Sequence, residues 1–268
     1  MKEMTTADIQ QISLEILKDV HSFCVRENIK YSLAYGTLIG AIRHKGFIPW
    51  DDDVDIMMPR PDYERFINSY RSSCGYKIMP EGKDSMIALA RVYDTKKTTV
   101  IQPVIPWCKK NVGVWIDIFP LDGAEDDFKS FSKRVEKIYD LWRDNFTYRS
   151  LSSPYKIQKE IRSNIRLLIN RIKYKKWRTV DKHVLYAKSI KYGDTNYVTS
   201  LTVPTEKTNE YYPIEWFNEY IDIKFEGQNF KAIKEYDKIL KTVYGDYMKL
   251  PPENKQVPTH SFHKYFWK

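Results

Sequence analysis

The run Trp50-Asp51-Asp52-Asp53-Val54-Asp55-Ile56-Met57-Met58 sets four carboxylates against an apolar stretch. In extended backbone alternate side chains share a face, so Asp53 and Asp55 are expected side by side with Val54 and Ile56 turned into the core. Two carboxylates that close repel each other unless a cation lies between them; otherwise one keeps its proton at neutral pH. Mg²⁺, or Mn²⁺ in its place, suits such a site, because a hard ion shares carboxylates with phosphate oxygens and water. Asp117 is a lone acid inside Val114-Trp115-Ile116-Asp117-Ile118-Phe119, a segment that otherwise reads as a buried strand. A charge there is costly unless paired or bound to metal, so Asp117 is read as a third metal ligand. Two plainer explanations compete with that reading: an exposed strand end, or a pairing with Arg91. Asp51 and Asp52 read as loop groups that cap, turn or support the others.

A second group of residues could hold phosphate. Gly36-Thr37 stands where a strand gives way to a helix. Glycine there permits close backbone approach, and the following amides and the threonine hydroxyl can grip a phosphate. Arg43 and Lys45 in the next loop can neutralise charge developing on a leaving phosphate, while His44 reads as a solvent-exposed neighbour. Trp50 and Tyr35 are candidate stacking surfaces for a base, and Arg91 is a further donor-binding candidate.

The elements that must position these groups follow from periodicity. Residues 5–27 carry Ile9, Ile12, Ile16, Val20, Phe23 and Cys24 at helical intervals behind a Thr5/Asp8 capping-box spacing. Strands are expected at 31–35, at Val54–Met58, at 76–79, 86–93 and 98–102, and at 112–119, the last ended by Pro120 and an Asp122-Gly123 turn. Pro61 suits the first turn of a helix reaching residue 70. From residue 126 the period becomes helical, with Phe128, Phe131, Val135, Ile138 and Leu141 marking one helix and Ile157, Ile161, Ile165, Leu168 and Ile172 another. A strand near 220–225 turns at Glu226-Gly227, a helix is expected over 230–243, and a Pro-rich tail closes the chain. The organisation predicted is an α/β (α+β) mixed sheet flanked by helices over 1–125, followed by a mostly helical basic region over 126–268.

Bulk composition narrows the function classes. With 268 residues, 42% hydrophobic and 29% charged, the chain can bury a full core. Cys24, Cys74 and Cys108 are scattered, which argues against a disulfide framework or a thiolate zinc site. No apolar run is long enough to cross a membrane, and Glu3, Asp8 and Glu15 interrupt what would have to be the apolar core of a signal peptide. A cytoplasmic protein is expected. The net charge of +9 is concentrated between Lys156 and Lys191, where twelve Lys/Arg face only Glu160 and Asp181. Such a face attracts an anionic partner: a phosphate-rich glycan, the inner face of an acidic membrane, or nucleic acid. No zinc finger or RNP-like motif accompanies it, so nucleic acid is not expected as a partner. His260 and His263 lack further Cys or His beside them and read as structural or surface groups.

The segments Leu33–Met58 and Val114–Gly123 closely resemble the LicD family of the nucleotidyltransferase-fold superfamily, and Tyr244–Pro252 resembles its C-terminal signature. The resemblance implies a superfamily pattern that falls on Gly36-Thr37, then Asp53-Val54-Asp55, then Asp117, with threonine in place of the commoner serine. It also implies a nucleotidyltransferase-like catalytic core and a metal-dependent phosphotransferase that takes phosphocholine from CDP-choline. The acceptor implied is a sugar hydroxyl of teichoic acid or lipopolysaccharide, with CMP released. CDP-ribitol or CDP-glycerol are the alternative donors. Asp117 would then complete a second metal site or receive the proton of the sugar hydroxyl. A choline headgroup would be recognised by aromatic faces, possible ones being Tyr93 and Trp107, with help from a carboxylate.

Overall fold

The computed structural model describes residues 1–82, 87–101, 112–151, 178–204, 209–258 and 263–268. Residues 156–177 of the basic segment 156–191, together with Trp107, Cys108 and His260, lie outside them.

Helix α1 (Thr6–Arg26) begins at the expected capping box, Thr5 accepting from the Asp8 amide while the Asp8 carboxylate accepts from Thr5. Its Ile12, Ile16, Leu17 and Val20 are almost completely buried. Each contributes roughly 1.5–3 kcal/mol relative to exposure. This face packs on a mixed sheet whose central order is β1 (Ser32–Leu33), β2 (Asp55–Pro59), β6 (Trp115–Ala124), β4 (Ala90–Tyr93) and β3 (Lys77–Met79). Strands β2 and β6 run parallel; the other neighbours are antiparallel. A second pair, β5 (Thr98–Ile101) and β11 (Lys264–Trp267), lies apart from it. Helices α2 (Tyr35–Arg43) and α3 (Arg60–Ser69) flank β2 in sequence.

The sheet has two buried faces of different character. Ile56, Met58, Ala90, Val92, Ile116 and Ile118 pack with α1 in one core cluster. Met57, Leu89, Phe119 and Leu121 point the other way, into a second cluster with Val198, Tyr212 and Phe217.

Strand β6 runs past Pro120 to Ala124 instead of stopping there. The Asp117 amide bonds Val54 O on the β2 side, so by alternation the position of Pro120 faces the other side. There β4 ends opposite Ile118 and β7 (Tyr197–Thr199) begins opposite Asp122, so no ladder hydrogen bond is lost. Asp122 is not in a turn either. It is buried in a double hydrogen bond with Arg60, at 2.7 Å to each oxygen, and Arg60 also pairs with Glu81.

Beyond residue 126 the described residues hold α4 (Phe128–Leu151), α5 (Arg178–Ala187) and α6 (Tyr236–Tyr244). They also hold more strands than the one expected: β7, β8 (Tyr212–Pro213), β9 (Tyr220–Phe225), β10 (Gln228–Ile233) and β11. The helix expected over 230–243 starts only at Tyr236. Glu226 and Gly227 both take positive φ, making a tight hairpin that sends Gln228–Ile233 back along β9 with Phe230 and Ala232 buried at period two. Among the described residues no helix is long and apolar enough to cross a membrane.

Candidate active site

The parallel register of β2 and β6 sets Asp55 directly beside Asp117, and the antiparallel register of β6 and β4 sets Asp117 beside Arg91. Lateral partners project to the same side of a sheet, so these three form one row on the face opposite α1. Phe119 follows two residues along β6 and shares that face. The row forms part of the wall of a cleft of about 880 Å³, which is also lined by Tyr35, Gly36, Arg43, Trp50, Asp51 and Asp53.

Asp53 reaches the cleft differently from the strand alternation expected of it. Strand β2 begins only at Asp55, where pairing with β6 starts, and Asp53 sits on the loop before it. That loop is pinned by α1: Gln10 Nε2 donates to Asp51 O at 2.8 Å. One carboxylate oxygen from each of Asp51, Asp52 and Asp53 lies within 4.8 Å of the others, a geometry able to hold a metal ion. Asp51 therefore belongs to the acidic group and is not merely a loop cap, while Asp52 is buried away from the cleft wall. A methyl group on the Cα of Gly36 would lie 2.6 Å from Asp51 Oδ2, so any larger residue there would push the Asp51 carboxylate aside.

The electrostatics are those of acids lacking enough positive charge. Burial, then the charge of Asp53, pushes Asp51 up to about 9. Burial, then Asp53, Asp117 and Asp51, pushes Asp55 well above the usual range, with Arg91 acting weakly in the opposite direction. Arg91 is committed to Asp117, Nε to Oδ1 at 2.6 Å, and its guanidinium lies 4.4 Å over the Trp115 ring. The pairing set against the metal reading of Asp117 is thus formed, yet Asp117 still faces the cleft. A divalent cation at this acidic group would relieve the repulsion, and Asp51, Asp52 and Asp53 are the members whose oxygens lie close enough together to share a hard metal ion in this arrangement.

The remaining candidates divide. Arg43 lines the cleft, donating through Nη1 to Tyr247 O at 2.7 Å and through Nε to His44 Nε2 at 2.9 Å. Trp50 lines it too, edge-on to His44. Thr37 does not: it is buried, and its hydroxyl accepts from the Asp55 amide at 2.9 Å, locking the first turn of α2 to the start of β2. It positions Asp55 instead of gripping a phosphate. Lys45 is exposed and absent from the cleft wall; its carbonyl accepts from the Glu226 amide at 3.0 Å, tying the loop to the β9–β10 hairpin. Tyr93 is buried on β4, and Asp94 is occupied by the amides of Lys96, Lys97 and Thr98. His263 lines the cleft near Trp115.

Thr37→Val should cost about 1–3 kcal/mol, because it leaves the buried Asp55 amide without its acceptor. Urea unfolding would measure it; an unchanged midpoint would show that the hydroxyl does not hold the strand start.

Glu210 and Tyr244 are cleft residues that sequence reasoning did not single out. Tyr244 opens the C-terminal segment Tyr244–Pro252, whose Asp246, Tyr247, Lys249 and Pro251 also line the cleft, so that segment was the available signal. Glu210 gives no signal in sequence.

Residues 28–154 match the family model described as LicD/FKTN/FKRP, nucleotidyltransferase domain. A relative from Haemophilus influenzae, the lipopolysaccharide cholinephosphotransferase LicD, is 32% identical over 268 residues, covering 97% of each chain. An uncharacterized protein of Rickettsia prowazekii is 32% identical over 116 residues, which is 42% of this chain and 40% of that one.

Proposed function

The chain belongs to the LicD/FKTN/FKRP family of nucleotidyltransferase-fold proteins, and from that premise we propose that it transfers phosphocholine from CDP-choline to a sugar hydroxyl of lipopolysaccharide or teichoic acid, releasing CMP. The observation that supports this most is the row of Asp55 and Asp117 on one sheet face, with Asp51 and Asp53 beside it, opening on a cleft large enough for a nucleotide diphosphate.

Asp51, Asp53 and Asp55 would hold Mg²⁺ or Mn²⁺, with Asp117 completing the acidic face. When bound, the ion supplies charge neutralisation of the diphosphate oxygens. The chain's own residues supply alignment. Gly36 leaves room at the first turn of α2, where Asp51 abuts the backbone. Arg43, held by the carbonyl of Tyr247, would meet negative charge on the departing CMP. The sugar oxygen attacks the phosphorus that bears choline; the bond from that phosphorus to the CMP oxygen breaks, and the hydroxyl proton passes to a base. The basic segment 156–191 would carry the contact with an anionic glycan or the inner membrane face.

The test is CMP release from a panel of CDP-choline, CDP-ribitol and CDP-glycerol with Mg²⁺ and candidate glycans. CDP-choline is expected to outpace the others by at least about tenfold, as befits a site shaped for one headgroup. Faster release from a polyol donor would overturn the donor assignment, and no release from any donor would overturn the transferase reading.

A further inference from the structure

One end of the cleft is aromatic and contains a carboxylate that the phosphate chemistry does not use. Glu210 Oε2 accepts from the Tyr35 hydroxyl at 2.7 Å, and among the described residues no Lys, Arg or His pairs with it. Tyr35 meets the Phe119 ring edge-on, with centroids 4.8 Å apart. Ile87 and Leu89 complete an apolar wall beside them. Tyr244, at the end of α6, lines the same cleft, and burial, then the charges of Asp55, Glu210, Asp51 and Asp53, raise its hydroxyl above the usual range.

We propose that Glu210, with the rings of Tyr35, Phe119 and Tyr244, forms the subsite that receives the quaternary ammonium of the donor. The proposal rests on the phosphocholine reading above and assigns to named residues what selects that headgroup. A trimethylammonium has no hydrogen-bond donor, so only aromatic faces and a nearby negative charge can distinguish it from a neutral group of equal size. A polyol, by contrast, needs several hydrogen-bonding partners, and this wall offers mainly carbon.

Position supports the assignment as much as composition. Phe119 lies two residues after Asp117 on the same strand face, about 6.6 Å along β6. Tyr35 immediately precedes Gly36, whose backbone abuts Asp51, so this ring stands next to the acidic group in the chain. Burial also pushes Glu210 up to about 7, against the hydrogen bond from Tyr35. Among the described residues, Tyr35, Tyr212 and Tyr244 feel its charge.

The experiment uses the full chain with Mg²⁺ and two donors, CDP-choline and the CDP ester of 3,3-dimethylbutan-1-ol, its uncharged carbon isostere. Glu210→Gln is expected to raise KM for CDP-choline about tenfold or more, while KM for the isostere changes less than about twofold. Calorimetry with choline alone adds a readout that does not depend on turnover: binding to the wild-type chain and loss of binding in Glu210→Gln support the subsite even where no transfer occurs. Equal effects on both donors, or no choline binding to the wild type, would overturn the proposal. A chain that binds choline through Glu210 but releases no CMP would instead overturn the transferase reading and leave the subsite standing.

Discussion

Asp55→Asn is expected to lower transfer by about 10³-fold or more and, in the same protein, to raise the thermal midpoint of the metal-free form. The first effect follows from the place of Asp55, buried at the start of β2 beside Asp117 and facing the cleft. Removing one preorganised group that stabilises charge in the transition state costs about 10²–10³ in kcat, and loss of a metal ligand adds to that. The second effect has the opposite sign because Asp55 is held among Asp53, Asp117 and Asp51, with Arg91 already bonded to Asp117. Asparagine keeps the shape, and the backbone N–H of residue 55 still donates to the Thr37 hydroxyl, but the repulsion is gone. Each kcal/mol gained shifts the midpoint by about 2–4 °C for a chain of this size. Wild-type turnover in the variant would refute the site, and a lowered midpoint would contradict the electrostatic account.

The metal-free protein should also lose stability as pH rises, which is the reverse of ordinary acid denaturation. Asp51 is raised to about 9 from the usual 3.8, and Asp55 is raised as well. The unfolded chain therefore releases these protons first. Stability from the protonated folded acids is complete below the ordinary carboxylate range and drains away as pH climbs toward 9, by an amount on the order of a few kcal/mol. Mg²⁺ should offset the loss, by about 2.7 kcal/mol at a hundred times its Kd, with the benefit growing as pH rises because metal and protons compete for the same oxygens. Thermal melts of the wild type and of Asp51→Asn/Asp55→Asn, with EDTA or Mg²⁺, would measure this. If the wild type and the double variant show the same pH slope in EDTA, the slope does not come from these carboxylates.

Much of this protein was legible in the linear sequence, because local patterns carry local information. The capping box and apolar stripe specified α1, and proline placement specified the start of α3. The clustering of acids at 51–55, with a lone acid at 117 in an apolar strand, marked out the acidic centre. The motifs also carried the family resemblance, which the comparisons bear out.

What tertiary structure alone decided was which groups meet across distance. Parallel pairing of β2 with β6 put Asp55 and Asp117 in one row, and only the sheet order placed Arg91 next to them. Pro120 read as a strand end until the gap between β4 and β7 showed that its missing N–H had no ladder to break. Thr37 and Lys45 carry chemistry suited to phosphate, yet packing turned one into the anchor of Asp55 and left the other outside the cleft. Glu210 and Tyr244 are far from the acidic motif in sequence and enter the site through the fold of the C-terminal half. The physical reason is the same in each case: residue type and spacing determine which way a side chain points along its own element, whereas burial, pairing and pKa depend on neighbours that the chain supplies from elsewhere.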